Sequence, residues 1–279
     1  PWHLESMKNF VGSAGVIGWP VAHSKSPLIH RFWLDRLGLD GDYGRFPVAP
    51  DRLGTAIRAL PALGLKGVNV TVPHKEAVIA HLDRVEPDAA MIGAVNTIVA
   101  ETDGLVGHNS DVTGFAEPLA DLGPRLCRVA VIGAGGAARA ALAALRRWPD
   151  ISVVLLARRP EQARALLDHL AIDGEVAPIA AASLDGADLV VNASPLGMTG
   201  QSPLQLSLDA LDGHATVYDM VYAPLETVLL AAARSRGLST IDGLSMLIGQ
   251  ASRAFSLFFG HEAPRDAGTD AELRSRLIS

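Results

Sequence analysis

One stretch constrains the fold of this chain more than any other: Gly133-Ala134-Gly135-Gly136-Ala137-Ala138-Arg139. It follows the apolar run Val129-Ala130-Val131-Ile132 and opens an Ala/Leu-rich segment at 140–145. A short buried strand, a glycine turn and a helix start form the context of a dinucleotide-binding loop. Glycine permits the tight turn and lets the backbone come close to a pyrophosphate. Free N–H groups at the helix N-terminus then face the anion, and the helix dipole favours its charge. Glycine turns also occur where nothing binds; here the strand before and the helix after favour the binding reading.

The rest of the chain repeats this alternation. Residues 15–18 read as a first strand, 27–37 as a helix with proline in its first turn, 43–47 as a second strand, 52–63 as an amphipathic helix and 67–72 as a third strand. Strands at 96–100 and 105–108 flank Asp103-Gly104, a two-residue hairpin signal, and 111–122 reads as a helix. A second unit starts near Cys127, with strands at 128–132 and 152–157 and helices at 137–147 and 161–170. Strands at 187–193 and 216–220 and a helix at 225–236 follow. A long apolar-periodic helix spans 244–260, and a last one 270–277. Such alternation predicts an α/β fold, a mostly parallel sheet with helices on both faces, whose ligands lie at the carboxyl ends of the strands.

The 279 residues are enough for two domains, and 49% hydrophobic content is enough for a sizeable core. A formal net charge of -6 argues against non-specific nucleic-acid binding, which needs a basic surface. No apolar run approaches the roughly 18 residues of a membrane span. The single cysteine, Cys127, excludes an internal disulfide and fits a reducing cytosol; beside a predicted buried strand it is expected to pack in the core. Residues 1–6 precede Met7 and read as an expression remnant. No His/Cys/Asp/Glu cluster has zinc spacing, so no metal is expected.

Four polar clusters fall where strands should end. Ser24-Lys25-Ser26-Pro27 offers two hydroxyls and free N–H groups to a small carboxylate, or simply caps a helix. Asn69-Val70-Thr71-Val72-Pro73-His74-Lys75 closes the third strand; alternation puts Asn69 and Thr71 on one face and Val70 and Val72 on the other. Lys75 is either a functional amine or a solvated one, and His74 reads as a helix-start residue. Asn96-Thr97 and Asn109-Ser110-Asp111 follow, with Asp111 also readable as an N-cap. The fourth runs from Tyr218-Asp219-Met220-Val221-Tyr222 through Asp242-Gly243-Leu244 to Gln250. In the nucleotide unit the second strand ends at Arg158-Arg159, where an acidic residue would bind the ribose hydroxyls of NAD. Two guanidinium groups suit the 2′-phosphate of NADP instead, unless they are merely solvated.

Taken together these motifs resemble the shikimate dehydrogenase family. The resemblance covers residues 14–260 and rests on Gly18-Trp19-Pro20-Val21-Ala22-His23-Ser24-Lys25-Ser26-Pro27, Asn69 to Lys75, Gly93-Ala94-Val95-Asn96-Thr97, Asn109-Ser110-Asp111, the Gly133 loop and Asp242-Gly243-Leu244, in order. It implies an N-terminal α/β substrate domain at 7–110, completed by C-terminal helices at 244–279, and a Rossmann-type NADP-binding domain at 111–243. By position, Ser24, Ser26 and Tyr222 would contact a substrate carboxylate, and Thr71, Asn96, Asp111 and Gln250 its hydroxyls. Lys75 would be the acid/base, with Asp111 as its catalytic companion. Gly133, Ala134, Gly135, Gly136 and Ala137 would hold the pyrophosphate, Arg158 and Arg159 the 2′-phosphate, and Met220, Val221 and Gly243 would lie near the nicotinamide. Ser110 stands where the family usually has threonine, and Ala157 where it often has asparagine.

The implied activity is NADP-dependent interconversion of 3-dehydroshikimate and shikimate in aromatic amino-acid biosynthesis, in a cytoplasmic monomer or homodimer. The alternatives are a quinate or quinate/shikimate dehydrogenase and a non-catalytic NADP-binding regulatory protein. The latter would be expected to lose Lys75 and Asp111, and both are present.

Overall fold

The structure is a computed structural model that describes residues 10–120, 122 and 126–278. The remnant read at residues 1–6 and the expected domain start at residue 7 lie outside the described residues. The chain divides into two compact units: one reaches to Ser110 and resumes at Gln250, the other is Asp111–Gly249.

The first unit contains β1 (Phe10–Gly18), α1 (Ser26–Leu37), β2 (Asp40–Pro47), α2 (Leu53–Ala59), β3 (Leu65–Val70), β4 (Arg84–Val85), α3 (Pro87–Ile92), β5 (Thr97–Glu101) and β6 (Gly104–His108). These strands form one six-stranded sheet in the order β2-β1-β3-β5-β6-β4. Strands β1, β2 and β3 run parallel, and β5 is antiparallel to both β3 and β6. The expected hairpin thus makes this sheet mixed. Because β5 reverses, its first residues and the carboxyl ends of β1, β3 and β6 share one edge of the sheet.

Local signals explain the elements. Helix α1 has Pro27 in its first turn and stops at Gly38, whose left-handed backbone lets its N–H bond the Asp35 carbonyl while the Leu39 N–H bonds that of Leu34. The helix expected over 52–63 is shorter, because Pro61 has no N–H to continue it; Leu60 before it still has helical backbone. One face of the sheet buries Ile17, Val68, Val70 and Ile98 with Leu53 and Ile57 of α2. Each such side chain contributes on the order of 1.5–3 kcal/mol.

The second unit contains α4 (Asp111–Ala116), β7 (Arg128–Ile132), α5 (Gly136–Leu145), β8 (Ser152–Ala157), α6 (Pro160–His169), β9 (Gly174–Pro178), β10 (Leu189–Asn192), β11 (Thr216–Asp219), α7 (Val228–Ser235) and β12 (Ser239–Ile241). Helix α8 (Gly243–Phe259) carries the boundary at Gly249/Gln250, and α9 (Ala267–Ile278) ends the described chain. All six strands are parallel, in the order β12-β11-β10-β7-β8-β9. Counted from β7 as first strand this is 3-2-1-4-5-6, the order of a dinucleotide-binding doubly wound sheet. The expected α/β class and Rossmann-type second sheet are both found.

Several expectations need correction. The helix expected over 111–122 ends at Ala116 and passes into a 3-10 turn, Glu117–Leu119, because Pro118 has no N–H to continue it. Strand β3 ends at Val70, not at residue 72: Val70 is buried but Val72 is 69% exposed, so the alternation does not reach Val72. Cys127 is exposed rather than packed in the core. It precedes β7 and its backbone is tied outside the sheet interior, its N–H to Asp188 and its carbonyl to the Ser152 N–H. Elements β4, α3, β9 and β12 carry no expectation from the sequence; each is short, and hydrophobic periodicity needs length to show.

Candidate active site

The shared edge of the first sheet collects the polar residues singled out in this unit. After β1 the chain enters the Ser24–Ser26 turn, where the Ser26 N–H reaches the Ser24 hydroxyl at 3.3 Å. No side chain caps the helix at its N-cap residue, Lys25. The turn is held from β2, where Arg45 donates through Nε and Nη2 to the Ser24 carbonyl at 3.0 and 2.7 Å. After β3 the Thr71 N–H bonds the Ile17 carbonyl. His74 is buried, and its Nε2 donates to the Val48 carbonyl at 2.7 Å. A carbonyl only accepts, so this nitrogen carries the proton and His74 anchors its loop from within the core. The Lys75 carbonyl accepts from Val95 N–H, which places the half-buried lysine beside the chain that leads into Asn96.

Asn96 lies at the centre of a buried hydrogen-bonded set. Its Oδ1 accepts from the Ser110 N–H at 2.7 Å and from the Thr97 hydroxyl at 3.0 Å, and its Nδ2 donates to the Ser110 hydroxyl at 3.1 Å. The Ser110 hydroxyl donates to Gln250 Oε1 at 3.4 Å. From β3, Asn69 Nδ2 donates to the Thr97 hydroxyl and the Asn96 carbonyl at 3.0 and 3.1 Å. Asn69 Oδ1 in turn accepts from the Tyr43 hydroxyl at 2.6 Å. Buried amides and hydroxyls this well partnered form a rigid polar surface, and its members stay neutral. The sequence reading singled out Ser24, Ser26, Thr71, Lys75, Asn96 and Gln250, and the structure gathers them on this unit. It did not single out Tyr43 or Arg45, which sit on a strand without a motif of their own.

The second unit builds a different kind of site. At the end of β7 Gly133 has φ +112°, and a Cβ there would lie 2.8 Å from the Ala193 carbonyl oxygen. Its N–H bonds Leu156 of β8. The loop therefore threads between the ends of β8 and β10, where the strand order reverses. Gly135 and Gly136 open α5 with no side-chain cap, no acidic residue in the first turn and no atom within 4 Å of a built Cβ. A free helix N-terminus with open space over its glycines fits a phosphate. Arg158 and Arg159 are exposed just past β8, next in the sheet.

On the other side of the switch point Asn192 and Asp219 order the loops that follow β10 and β11. Asp219 accepts from the Thr227 hydroxyl at 2.6 Å, the Asn192 amide at 2.9 Å and the Val221 N–H at 3.0 Å. Burial nevertheless pushes its carboxyl above the usual range, against those hydrogen bonds. Gly243 opens α8 so close that a Cβ would lie 2.5 Å from the Val221 oxygen and 2.6 Å from the Met220 oxygen. Met220, Val221 and Gly243 are thus brought together. Tyr222 is half-buried, and burial raises its phenol. Asp111 is buried at the start of α4.

Two cavities of about 500 and 570 Å³ border Trp148, Pro149, Asp150 and Ile151. They lie at the amino end of β8, opposite the end where parallel sheets bind ligands. Among the described residues no group of three or more His, Cys, Asp or Glu side chains could hold a metal ion, and no helix is long and apolar enough to cross a membrane.

Comparison with known proteins agrees with this geometry. Residues 16–98 match the shikimate dehydrogenase substrate binding domain, and residues 243–271 the shikimate 5′-dehydrogenase C-terminal domain. A shikimate dehydrogenase (NADP(+)) of Sphingopyxis alaskensis is 52% identical over 270 residues, covering 95% of this chain and 97% of its own. The shikimate 5-dehydrogenase of Thermus thermophilus, solved with NADP(H) and shikimate, superposes with a TM-score of 0.84 at 37% identity, covering 95% of this chain and 98% of that one. A quinate dehydrogenase of Corynebacterium glutamicum, solved with NAD, gives a TM-score of 0.85 at 32% identity, covering 97% and 100%.

Proposed function

This chain belongs to the shikimate dehydrogenase family, and on that premise we propose that it reduces 3-dehydroshikimate reversibly to shikimate with NADP as cofactor. The observation that carries the reading is the buried set of amides and hydroxyls around Asn96, on the same sheet edge as the Ser24–Ser26 turn and Lys75. A small ring that bears one carboxylate and several hydroxyls needs such a surface, because each oxygen then finds a neutral partner already in place.

The first unit supplies most of the substrate contacts. Ser24 and Ser26, with Tyr222, grip the carboxylate. Thr71, Asn96, Asp111 and Gln250 grip the hydroxyls. Bound NADPH supplies the hydride to the carbonyl carbon. The carbonyl oxygen then gains a negative charge, and the Lys75 ammonium neutralises it by donating a proton from Nζ. In the reverse direction the Lys75 amine takes the proton of the substrate hydroxyl. Asp111 is the companion catalytic residue. Gly133, Ala134, Gly135, Gly136 and Ala137 form the loop that holds the pyrophosphate: Gly133 makes the turn, its own N–H held by Leu156, and the residues after it offer backbone N–H groups. Arg158 and Arg159 take the 2′-phosphate through planar guanidinium forks, and Met220, Val221 and Gly243 line the nicotinamide. The protein works in the cytoplasm, as a monomer or a homodimer, in aromatic amino-acid biosynthesis.

Quinate carries one more hydroxyl on the carboxylate-bearing carbon, so the two serines are the contacts that discriminate, and they suit shikimate. A turnover assay crossing shikimate and quinate with NADP and NAD tests the whole reading. The expected result is turnover of shikimate with NADP well above the other three pairs. Preferred turnover of quinate, or equal efficiency with both cofactors, would overturn it.

A further inference from the structure

Tyr43 belongs to no motif and makes no proposed contact with substrate, yet its hydroxyl touches both parts of the polar surface. It donates to Asn69 Oδ1 at 2.6 Å, and the Ser26 hydroxyl bonds the phenol oxygen. We propose that Tyr43 is a substrate-positioning residue whose hydroxyl locks Asn69, and through it Thr97 and Asn96, in a single arrangement; this rests on the function proposed above.

The direction follows from donor and acceptor chemistry. A carboxamide oxygen only accepts, so the single phenol proton is committed to Asn69 Oδ1. The Ser26 hydroxyl is then the donor to the phenol oxygen. With Oδ1 so engaged, Asn69 presents Nδ2 to the Thr97 hydroxyl. Thr97 already accepts there, so its own proton goes to Asn96 Oδ1. Asn96 Oδ1 is then filled by Thr97 and the Ser110 N–H, and its Nδ2 must face outward as a donor. Ser110 accepts that N–H and donates to Gln250 Oε1. Two backbone groups fix this sense, the Asn96 carbonyl for Asn69 and the Ser110 N–H for Asn96, and the Tyr43 hydroxyl locks it by filling Asn69 Oδ1.

The phenol itself is held by shape. Tyr43 is fully buried and stacks on His30 with ring centroids 4.0 Å apart and planes 7° apart. Neither nitrogen of His30 has a partner, and Trp33, Phe255 and Phe258 surround it. Nothing in that aromatic stack competes for the phenol proton.

Tyr43→Phe keeps the ring and removes only the hydroxyl. The expected result is a KM for shikimate raised about ten-fold, as for the loss of one buried hydrogen bond, with the KM for NADP unchanged and kcat lowered less than KM is raised. Asn69→Asp keeps the shape but replaces the donor with an acceptor, so it should raise the same constant further than Tyr43→Phe does. An unchanged KM for shikimate in Tyr43→Phe would overturn the inference, and so would equal rises for shikimate and NADP, the mark of general loosening. A second readout needs no substrate: the side-chain amide resonances of Asn69 and Asn96 should shift together in ligand-free Tyr43→Phe, and unchanged resonances overturn the proposal. A wild type that fails to turn over shikimate sinks the proposed function instead, while the amide resonances still decide whether Tyr43 orders the network.

Discussion

The two units solve recognition in opposite ways. The first uses side chains from five separate segments, β1–α1, β2, β3, β5–β6 and α8, held in place by buried hydrogen bonds. The second uses backbone: a glycine turn, the open end of α5 and the close passage of Gly243 past Met220 and Val221, with charge added by two exposed arginines. A backbone site is built by a contiguous segment and accepts any ligand with a phosphate in the right place. A side-chain site reads the positions of individual oxygens, and it depends on residues far apart in sequence.

That contrast can be broken most severely at Lys75, the proposed acid/base, because backbone could not replace such chemistry. Lys75→Ala should lower turnover by about 10²–10⁴-fold with little change in KM, because only the transition state needs the proton. Steady-state rates retaining more than half of wild-type turnover would remove Lys75 from the mechanism.

The second unit's affinity should depend on its arginines only for the extra phosphate. Replacing Arg158 and Arg159 together with alanine should raise the KM for NADP by about ten- to a hundred-fold or more, since hydrogen bonds to charged groups contribute roughly 1.5–3 kcal/mol each. The KM for NAD should barely move, and a parallel rise for NAD would show that the arginines serve the fold or the pyrophosphate instead.

Ser24→Ala probes the first unit in the same manner. It should raise the KM for shikimate about ten-fold or somewhat more and leave that for NADP untouched. A lowered melting temperature with unchanged KM would make Ser24 a helix cap and nothing more.

A stability readout, with no effect expected on KM, concerns the core behind the side-chain site. Burial pushes His30 down from 6.5 to about 3. The unfolded chain therefore binds a proton that the folded one refuses over that interval. Stability from this group is complete above pH 6.5 and is lost as pH falls toward 3, by at most about 1.4 kcal/mol per pH unit. His30→Phe preserves the aromatic stack and should flatten the acid side of the melting-temperature profile. Profiles that coincide below about pH 6 would refute the assignment.

Legibility in the sequence followed the same division. The Gly133 loop, its strand and helix, and the arginine pair lie within 32 consecutive residues, 128–159, and each could be read from local spacing. Ser24 and Asn96 stood out only as polar residues near element ends, and Gln250 as a polar residue inside a long apolar helix, without any sign of what joins them. Tyr43 gave no signal: it reads as one more aromatic in a strand, and its partner Asn69 is 26 positions away. Cys127 misled, because neighbouring apolar residues say nothing about the direction of a side chain just outside a strand.

Patterning, glycines and prolines were sufficient for the α/β alternation, the long elements, the dinucleotide loop and the motifs that carry the family. These are local properties, set by backbone sterics and by periodicities of about two and 3.6 residues. Strand order, the reversal at β5, the short edge strands and the buried hydrogen bonds that join Tyr43 to Gln250 came from folding in three dimensions. Each depends on which distant residues are neighbours, and a buried amide acquires its orientation only from the partners that packing puts beside it.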